Sequence, residues 1–67
     1  MIENWQMVYS SSFIHQAELA QAVLKGFDIE VVLVNKKDSA YLFGEIELFV
    51  HPDNVMRAKQ IINREKL

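Results

Sequence analysis

The sequence predicts an α+β fold of the ferredoxin-like type, a split β-α-β sandwich with an antiparallel three-stranded sheet and two helices on one face. Three short segments are rich in β-branched and aromatic residues, and two others repeat apolar residues at helical spacing, in the order β-α-β-β-α. Because a helix joins the first two strands, they run parallel, and the third strand lies antiparallel between them. We expect residues 1–67 to form a single domain of this kind.

The first strand is predicted at residues 5–9, which read WQMVY, and three serines follow it. With Val8 taken as inward, alternation points Trp5, Met7 and Tyr9 outward. A flipped strand that places these three side chains in the core is the alternative, because a short strand does not fix its own facing.

The first helix is predicted from apolar residues that recur every three or four positions between Phe13 and Phe27. Ser11 or Ser12 is predicted as its N-cap. Gly26 is predicted to take the left-handed backbone conformation that ends many helices.

The remaining strands are predicted at residues 29–34 and 45–50, and a second helix follows from about residue 55 to Arg64. The second strand is a nearly continuous apolar run, whereas the third alternates with a period of two. The alternation directs three apolar side chains of the third strand inward, namely Ile46, Leu48 and Val50. Phe49 and the two glutamates of this strand face the other way.

The composition limits both stability and function. The chain has 67 residues, 51% of them hydrophobic, with no cysteine and a net charge of −2. Apolar burial in so small a domain only narrowly offsets the entropy lost on folding, so we expect a homo-oligomer, most simply a dimer. The negative charge disfavours nucleic acid as a partner, since phosphate binding depends on clustered Lys and Arg.

Few residue combinations here support catalysis or metal binding. The serines before His15 are better explained as helix capping than as a nucleophile with its base, because no acid is placed to orient the imidazole. His15 and His51 alone do not make a metal site. We expect no catalytic residue, no metal and no cofactor. Without a long apolar run or a basic leader, we expect a cytoplasmic protein with no membrane partner.

The sheet face turned away from the helices is the first candidate for function. Its predicted outward apolar side chains are Trp5, Met7, Tyr9, Val32, Val34 and Phe49. A patch of this size usually marks an interface or a ligand groove. Aromatic residues on neighbouring strands are also typical of RNA-recognition domains, but the glutamates on the same face would repel phosphates.

The connection between the second and third strands, residues 35–44, is the second candidate. Tyr41 and Phe43 are too apolar for an ordinary solvent loop. Two interpretations are open. Either the third strand begins near Tyr41 and Gly44 marks a bulge, or the segment is a loop that binds an effector or partner. In the second case Lys36 and Lys37 supply polar contacts while the aromatic residues are buried.

The chain resembles a short bacterial family of prokaryotic signal-transducing proteins, long known only as a domain of unknown function. The resemblance rests on the aromatic segment 5–9, on AELA at 17–20, on GEIELFV at 44–50 and on Ala58 with Ile61 and Ile62. It implies a ferredoxin-like fold with distant likeness to PII-type nitrogen regulators, and no catalytic residue. The loop is much shorter here than in PII proteins, so neither ATP binding nor modification of Tyr41 is implied.

We expect a non-enzymatic regulatory or protein-interaction module that acts through the sheet face and the loop 35–44. The alternative is a small-molecule sensor, with a metabolite held between the loop around Tyr41 and the sheet or the first helix's N-terminus. The candidate binding residues are Trp5, Met7, Tyr9, Lys36, Lys37, Tyr41, Phe43 and Phe49.

Overall fold

The computed structural model of the chain describes residues 4–36 and 45–67. Its elements are β1 (Gln6–Ser11), α1 (Ile14–Gly26), β2 (Val31–Asn35), β3 (Ile46–Val50), a 3₁₀ turn (Pro52–Asn54) and α2 (Val55–Glu65). The predicted order β-α-β-β-α is confirmed, with element ends displaced by one or two residues, where local sequence patterns are weakest. No helix in these two stretches has the length and apolar content that a bilayer crossing requires.

The three strands form one sheet in the order β1-β3-β2. Both outer strands pair antiparallel with β3 and therefore run parallel to each other. α1 connects these two parallel strands, so the split β-α-β arrangement predicted from the crossover rule is confirmed.

Both helices pack on one face of the sheet, around a single core. The buried hydrophobic residues are Ala17, Ala20, Leu24, Ile29, Val31, Ile46, Leu48, Val50, Ala58 and Ile61. Alanines at the helix contacts let the helix backbones approach the sheet closely, while the larger residues fill the space between them. Each fully buried Leu, Ile or Val side chain contributes about 1.5–3 kcal/mol of burial free energy, so this cluster is the main apolar contribution to folding.

β1 contains a bulge that changes the facing of its second half. Met7 lies opposite Phe49 and Tyr9 lies opposite Leu48, so Val8 is an extra residue without a partner of its own. Because residues directly opposite each other share a face, Tyr9 lies on the core side with the buried Leu48 and packs against the core. The prediction that Tyr9 points outward is wrong, since strict alternation assumes no extra residue.

α1 begins later than its apolar pattern suggests. Phe13 occupies the N-cap position with an extended backbone, φ −113° and ψ 120°, and is 73% exposed. Its backbone N–H donates a hydrogen bond to Ser11 Oγ at 3.0 Å. The predictions that Phe13 joins the buried stripe and that Ser11 or Ser12 is the N-cap are therefore wrong. Ser11 instead holds the turn that precedes the helix.

α1 ends in a Schellman turn centred on Asp28. Gly26 is the last helical residue, and Asp28 adopts the left-handed φ of 64°. The Ile29 N–H donates to the Leu24 carbonyl at 3.2 Å and the Asp28 N–H donates to the Lys25 carbonyl at 3.0 Å, which are the two hydrogen bonds of this motif. Leu24 and Ile29 are both buried, and this apolar contact fixes where the helix stops. The prediction that Gly26 takes the left-handed conformation is wrong, because that conformation lies two residues later, at Asp28.

α2 is closed at both ends by local hydrogen bonds. His51 Nδ1 accepts from the Asp53 N–H at 3.1 Å and so caps the 3₁₀ turn that leads into the helix. At the other end Lys66 adopts a left-handed φ of 56°, and the Leu67 N–H donates to the Ile62 carbonyl at 3.1 Å. Leu67 and Ile62 both pack against the core. Each helix therefore ends with an apolar residue folded back onto the core.

Candidate functional site

The sheet face opposite the helices carries the candidate site. The pairing register places Met7 of β1 and Val32 of β2 directly opposite Phe49 of β3. The β3 neighbours of Phe49, Leu48 and Val50, are fully buried beneath the helices. Because successive strand residues point to opposite faces, Phe49 and its two partners form an apolar row on the other face.

One end of this face is occupied by two aromatic rings. Trp5 and His51 each lie one residue beyond the paired residues Gln6 and Val50, so they continue the β1–β3 register. Their rings meet edge to face, with centroids 6.1 Å apart and planes inclined by 77°. This arrangement is favourable for aromatic rings and holds the half-buried Trp5 beside the apolar row.

The other end of the face is polar, and the charge of Glu47 there is compensated. Glu47 lies opposite Ser10 and Val34, and Glu47 Oε1 is 3.0 Å from Lys36 Nζ. The Lys36 backbone N–H donates to the Glu45 carbonyl at 3.1 Å, which extends the β2–β3 ladder by one residue. The Glu47 side chain is only 18% exposed, so its pairing with Lys36 keeps an isolated charge off the apolar surface.

Five apolar side chains together form what we term the open sheet face, namely Trp5, Met7, Val32, Val34 and Phe49. Met7 is 45% exposed and the other four are half-buried. These are five of the six side chains that alternation predicts for this face, and Tyr9 is the exception. The alternative that places Trp5, Met7 and Tyr9 in the core is right for Tyr9 and wrong for Met7.

The predicted binding residues are not all brought together. Trp5, Met7 and Phe49 share the open sheet face, and Lys36 lies at its margin in the ion pair with Glu47. Lys37, Tyr41 and Phe43 lie outside the described residues. Both interpretations of the loop 35–44 therefore stay predictions, as does a ligand held near Tyr41.

Two features of the site were missed by sequence reasoning. The contact between Trp5 and His51 follows only once the β1–β3 register is known. The bulge in β1 has no distinctive local signal, because consecutive apolar residues such as Val8 and Tyr9 also occur in β2 and β3, which pair with each other in a regular register.

Comparison of the chain with family models, with curated proteins and with solved structures gives no significant match. The resemblance to a signal-transducing family stays a prediction.

Proposed function

We propose that this chain is a non-enzymatic regulatory module that acts by protein–protein interaction, and that its open sheet face binds a second copy of the same chain. The observation that carries the proposal is an apolar row that crosses all three strands. Both helices pack on the opposite face, so no helix of the described residues covers this row. Contiguous apolar surface of this kind is typical of protein interfaces.

A second copy suits this face because it presents the same kind of surface in return. Two sheets that pack face to face interdigitate their side chains at a spacing of about 10 Å. In a two-fold arrangement Phe49, at the centre of the sheet, lies near the axis, and Met7 contacts an outer strand of the partner. Glu47 is already paired with Lys36, so stacking two copies does not bury this carboxylate without a counter-charge.

The size of the face determines the strength of the contact. β2 and β3 have five residues each. Such strands are about 17 Å long, and three of them span about 14 Å, which gives roughly 240 Å² of plane. A stable interface buries about 800 Å² per partner. We therefore expect a transient dimer, with a dissociation constant in the micromolar range or weaker, as suits a regulatory contact.

The test is sedimentation velocity of the full chain from about 10 µM to about 1 mM, the range in which an interface of this small size is expected to form. We expect the wild type to change from monomer to dimer as its concentration rises through this range. Met7→Lys should abolish the dimer, because it places an ammonium group in the contact. Met56→Lys is the matched control, since Met56 is 76% exposed on α2, away from the sheet.

Trp5 is the only tryptophan, so its fluorescence reports on this face directly. We expect its emission to shift to shorter wavelength with increasing concentration in the wild type and in Met56→Lys, but not in Met7→Lys. A chain that stays monomeric over the whole range would overturn the proposal. Equal dimerisation of the two lysine variants would overturn it as well.

A further inference from the structure

A groove in the helix layer has the features of a small-molecule binding site, unlike the open sheet face. It is an open groove with a volume of about 410 Å³ between α2 and the turn after α1, and it is lined by Phe27, Arg57, Gln60, Ile61 and Arg64. Its volume is within the range typical of small-molecule sites. Because both helices cover the core side of the sheet, the groove and the open sheet face lie on opposite sides of the molecule. It is independent of the proposed dimer.

The α2 residues of the groove follow helical spacing. Arg57, Ile61 and Arg64 are separated by four and three positions, so they lie along one side of the helix. Ile61 is 2% exposed and forms the floor, whereas the two arginines and Gln60 are exposed. The seven steps along the helix from Arg57 to Arg64 rise about 10.5 Å, so the two arginines border a floor about the length of a small metabolite.

The two arginines of the groove are available to a ligand. Neither forms an ion pair with any residue in the described stretches 4–36 and 45–67. The Asp53 carboxylate, four residues before Arg57, lies 3.5 Å from His51 Nδ1 instead. Residues 53–67 carry four basic and two acidic side chains, a local charge of +2 in a chain whose net charge is −2. The groove is thus a positive region of an acidic protein.

Phe27 adds an aromatic wall to this positive groove. It is half-buried, packs against the core on one side and lines the groove with the rest of its surface. A ring of this kind stacks with flat apolar groups, and guanidinium groups bind phosphate and carboxylate oxygens through paired hydrogen bonds. Gln60 also lines the groove, and its amide supplies a further hydrogen-bond donor and acceptor.

We propose that this groove binds a small aromatic oxyanion, a metabolite that carries a phosphate or carboxylate close to a flat ring. Arg57 and Arg64 hold the oxyanion, and Phe27 contacts the ring. Phosphate and carboxylate offer the guanidinium the same hydrogen-bonding geometry, and the experiment separates them.

The test is an NMR titration of the full, isotope-labelled chain with four probes: phenyl phosphate, benzoate, inorganic phosphate and benzyl alcohol. We expect the aromatic anions to shift the amide signals of Phe27 and of α2 around Gln60. The preferred one should bind roughly tenfold more tightly than inorganic phosphate or benzyl alcohol, because only it uses both the ring and the charge. The ranking of phenyl phosphate and benzoate identifies the oxyanion.

Charge variants separate the groove from general electrostatics. Arg57→Gln and Arg64→Gln should each weaken binding roughly tenfold, as expected for losing a charged hydrogen bond. Lys59→Gln is the matched control, because it removes the same charge from an exposed position on α2 that does not line the groove. We expect a change below about twofold for this control at physiological ionic strength, since salt screens charges that make no direct contact.

Phe27→Leu should remove the preference for an aromatic anion over inorganic phosphate. Because Phe27 also packs against the core, circular dichroism must first show that this variant is folded. If Phe27→Leu does not fold, the variants of the exposed residues Arg57 and Arg64 test the proposal without it. Equal losses in the arginine and Lys59 variants would overturn the proposal. Amide signals that shift only outside the groove would also overturn the proposal. So would the absence of binding by either aromatic anion at about 10 mM, a concentration above the weakest dissociation constant that such contacts predict.

Discussion

Gly26 lies in the last turn of α1, where its conformational freedom serves no structural purpose. Its φ is not positive, and nothing lies within 4 Å of the position that a Cβ would occupy. Glycine in a helix costs roughly 0.5–1 kcal/mol relative to alanine, mainly through the entropy of the unfolded chain. We expect Gly26→Ala to raise the free energy of unfolding by about this amount in urea denaturation.

A substitution of Asp28, two residues after Gly26, complements Gly26→Ala. Since its φ of 64° disfavours side chains with a Cβ, Asp28→Gly should also stabilise, by about 1 kcal/mol. The pair tests where α1 stops. A destabilised Gly26→Ala together with a neutral Asp28→Gly would mean that the left-handed residue is Gly26 after all.

At the scale of elements, the bulge in β1 assigns different roles to two nearby side chains. Tyr9 packs against the core, whereas Met7 is 45% exposed on the other face. We expect Tyr9→Ala to lower the free energy of unfolding by about 2 kcal/mol, less than a fully buried aromatic residue would lose. Met7→Ala should change it by less than about 0.5 kcal/mol, as surface substitutions usually do.

The measurement is chemical denaturation at a protein concentration low enough to keep the chain monomeric. Under this condition Met7 makes no contact with a second copy, so only its role within the monomer is measured. Similar losses for the two alanine variants would contradict the bulge, because an unbulged β1 places both side chains on one face.

The element order was predictable because it depends on local patterns and one topological rule. Ala17, Ala20 and Leu24 lie on one side of α1 by arithmetic alone, and all three are buried. A helical crossover then fixes the parallel relation of β1 and β2. The facing of Tyr9 was not predictable in the same way, because it depends on pairing with Leu48, a residue 39 positions away in the sequence.

The site was predictable only where alternation holds. Phe49 and Val32 follow from the period of their own strands. The contact between Trp5 and His51 requires the register of two strands, and the groove that Phe27 forms with α2 requires the packing of two helices. These juxtapositions arise from tertiary structure and leave no spacing signal in the chain.

At the scale of the whole molecule, the two proposed surfaces are separated by the sheet and the helix layer. We expect Arg57→Gln to leave the dimerisation constant unchanged and Met7→Lys to leave the affinity for the aromatic anion unchanged. In the double variant the affinity for the anion should match that of Arg57→Gln to within about 0.5 kcal/mol, and dimerisation should be absent as in Met7→Lys, because the two sites share no contacts. Sedimentation and NMR titration of the four proteins measure both quantities.

Dimerisation that strengthens or weakens when the aromatic anion is added would contradict this independence. Because coupling between two binding equilibria is reciprocal, the anion would then bind the dimer and the monomer with different affinities. The two surfaces would in that case form one regulatory system.

The bulge in β1 also limits how the protein assembles. An edge strand exposes unpaired backbone groups, and pairing of the β1 edge of one molecule with the β2 edge of the next would continue without end. The extra residue after Met7 interrupts the regular hydrogen-bonding register of that edge and twists the strand. We expect this bulge to disfavour fibre growth along the sheet, while a closed contact through the open sheet face stays possible. One inserted residue helps to separate reversible pairing from polymerisation.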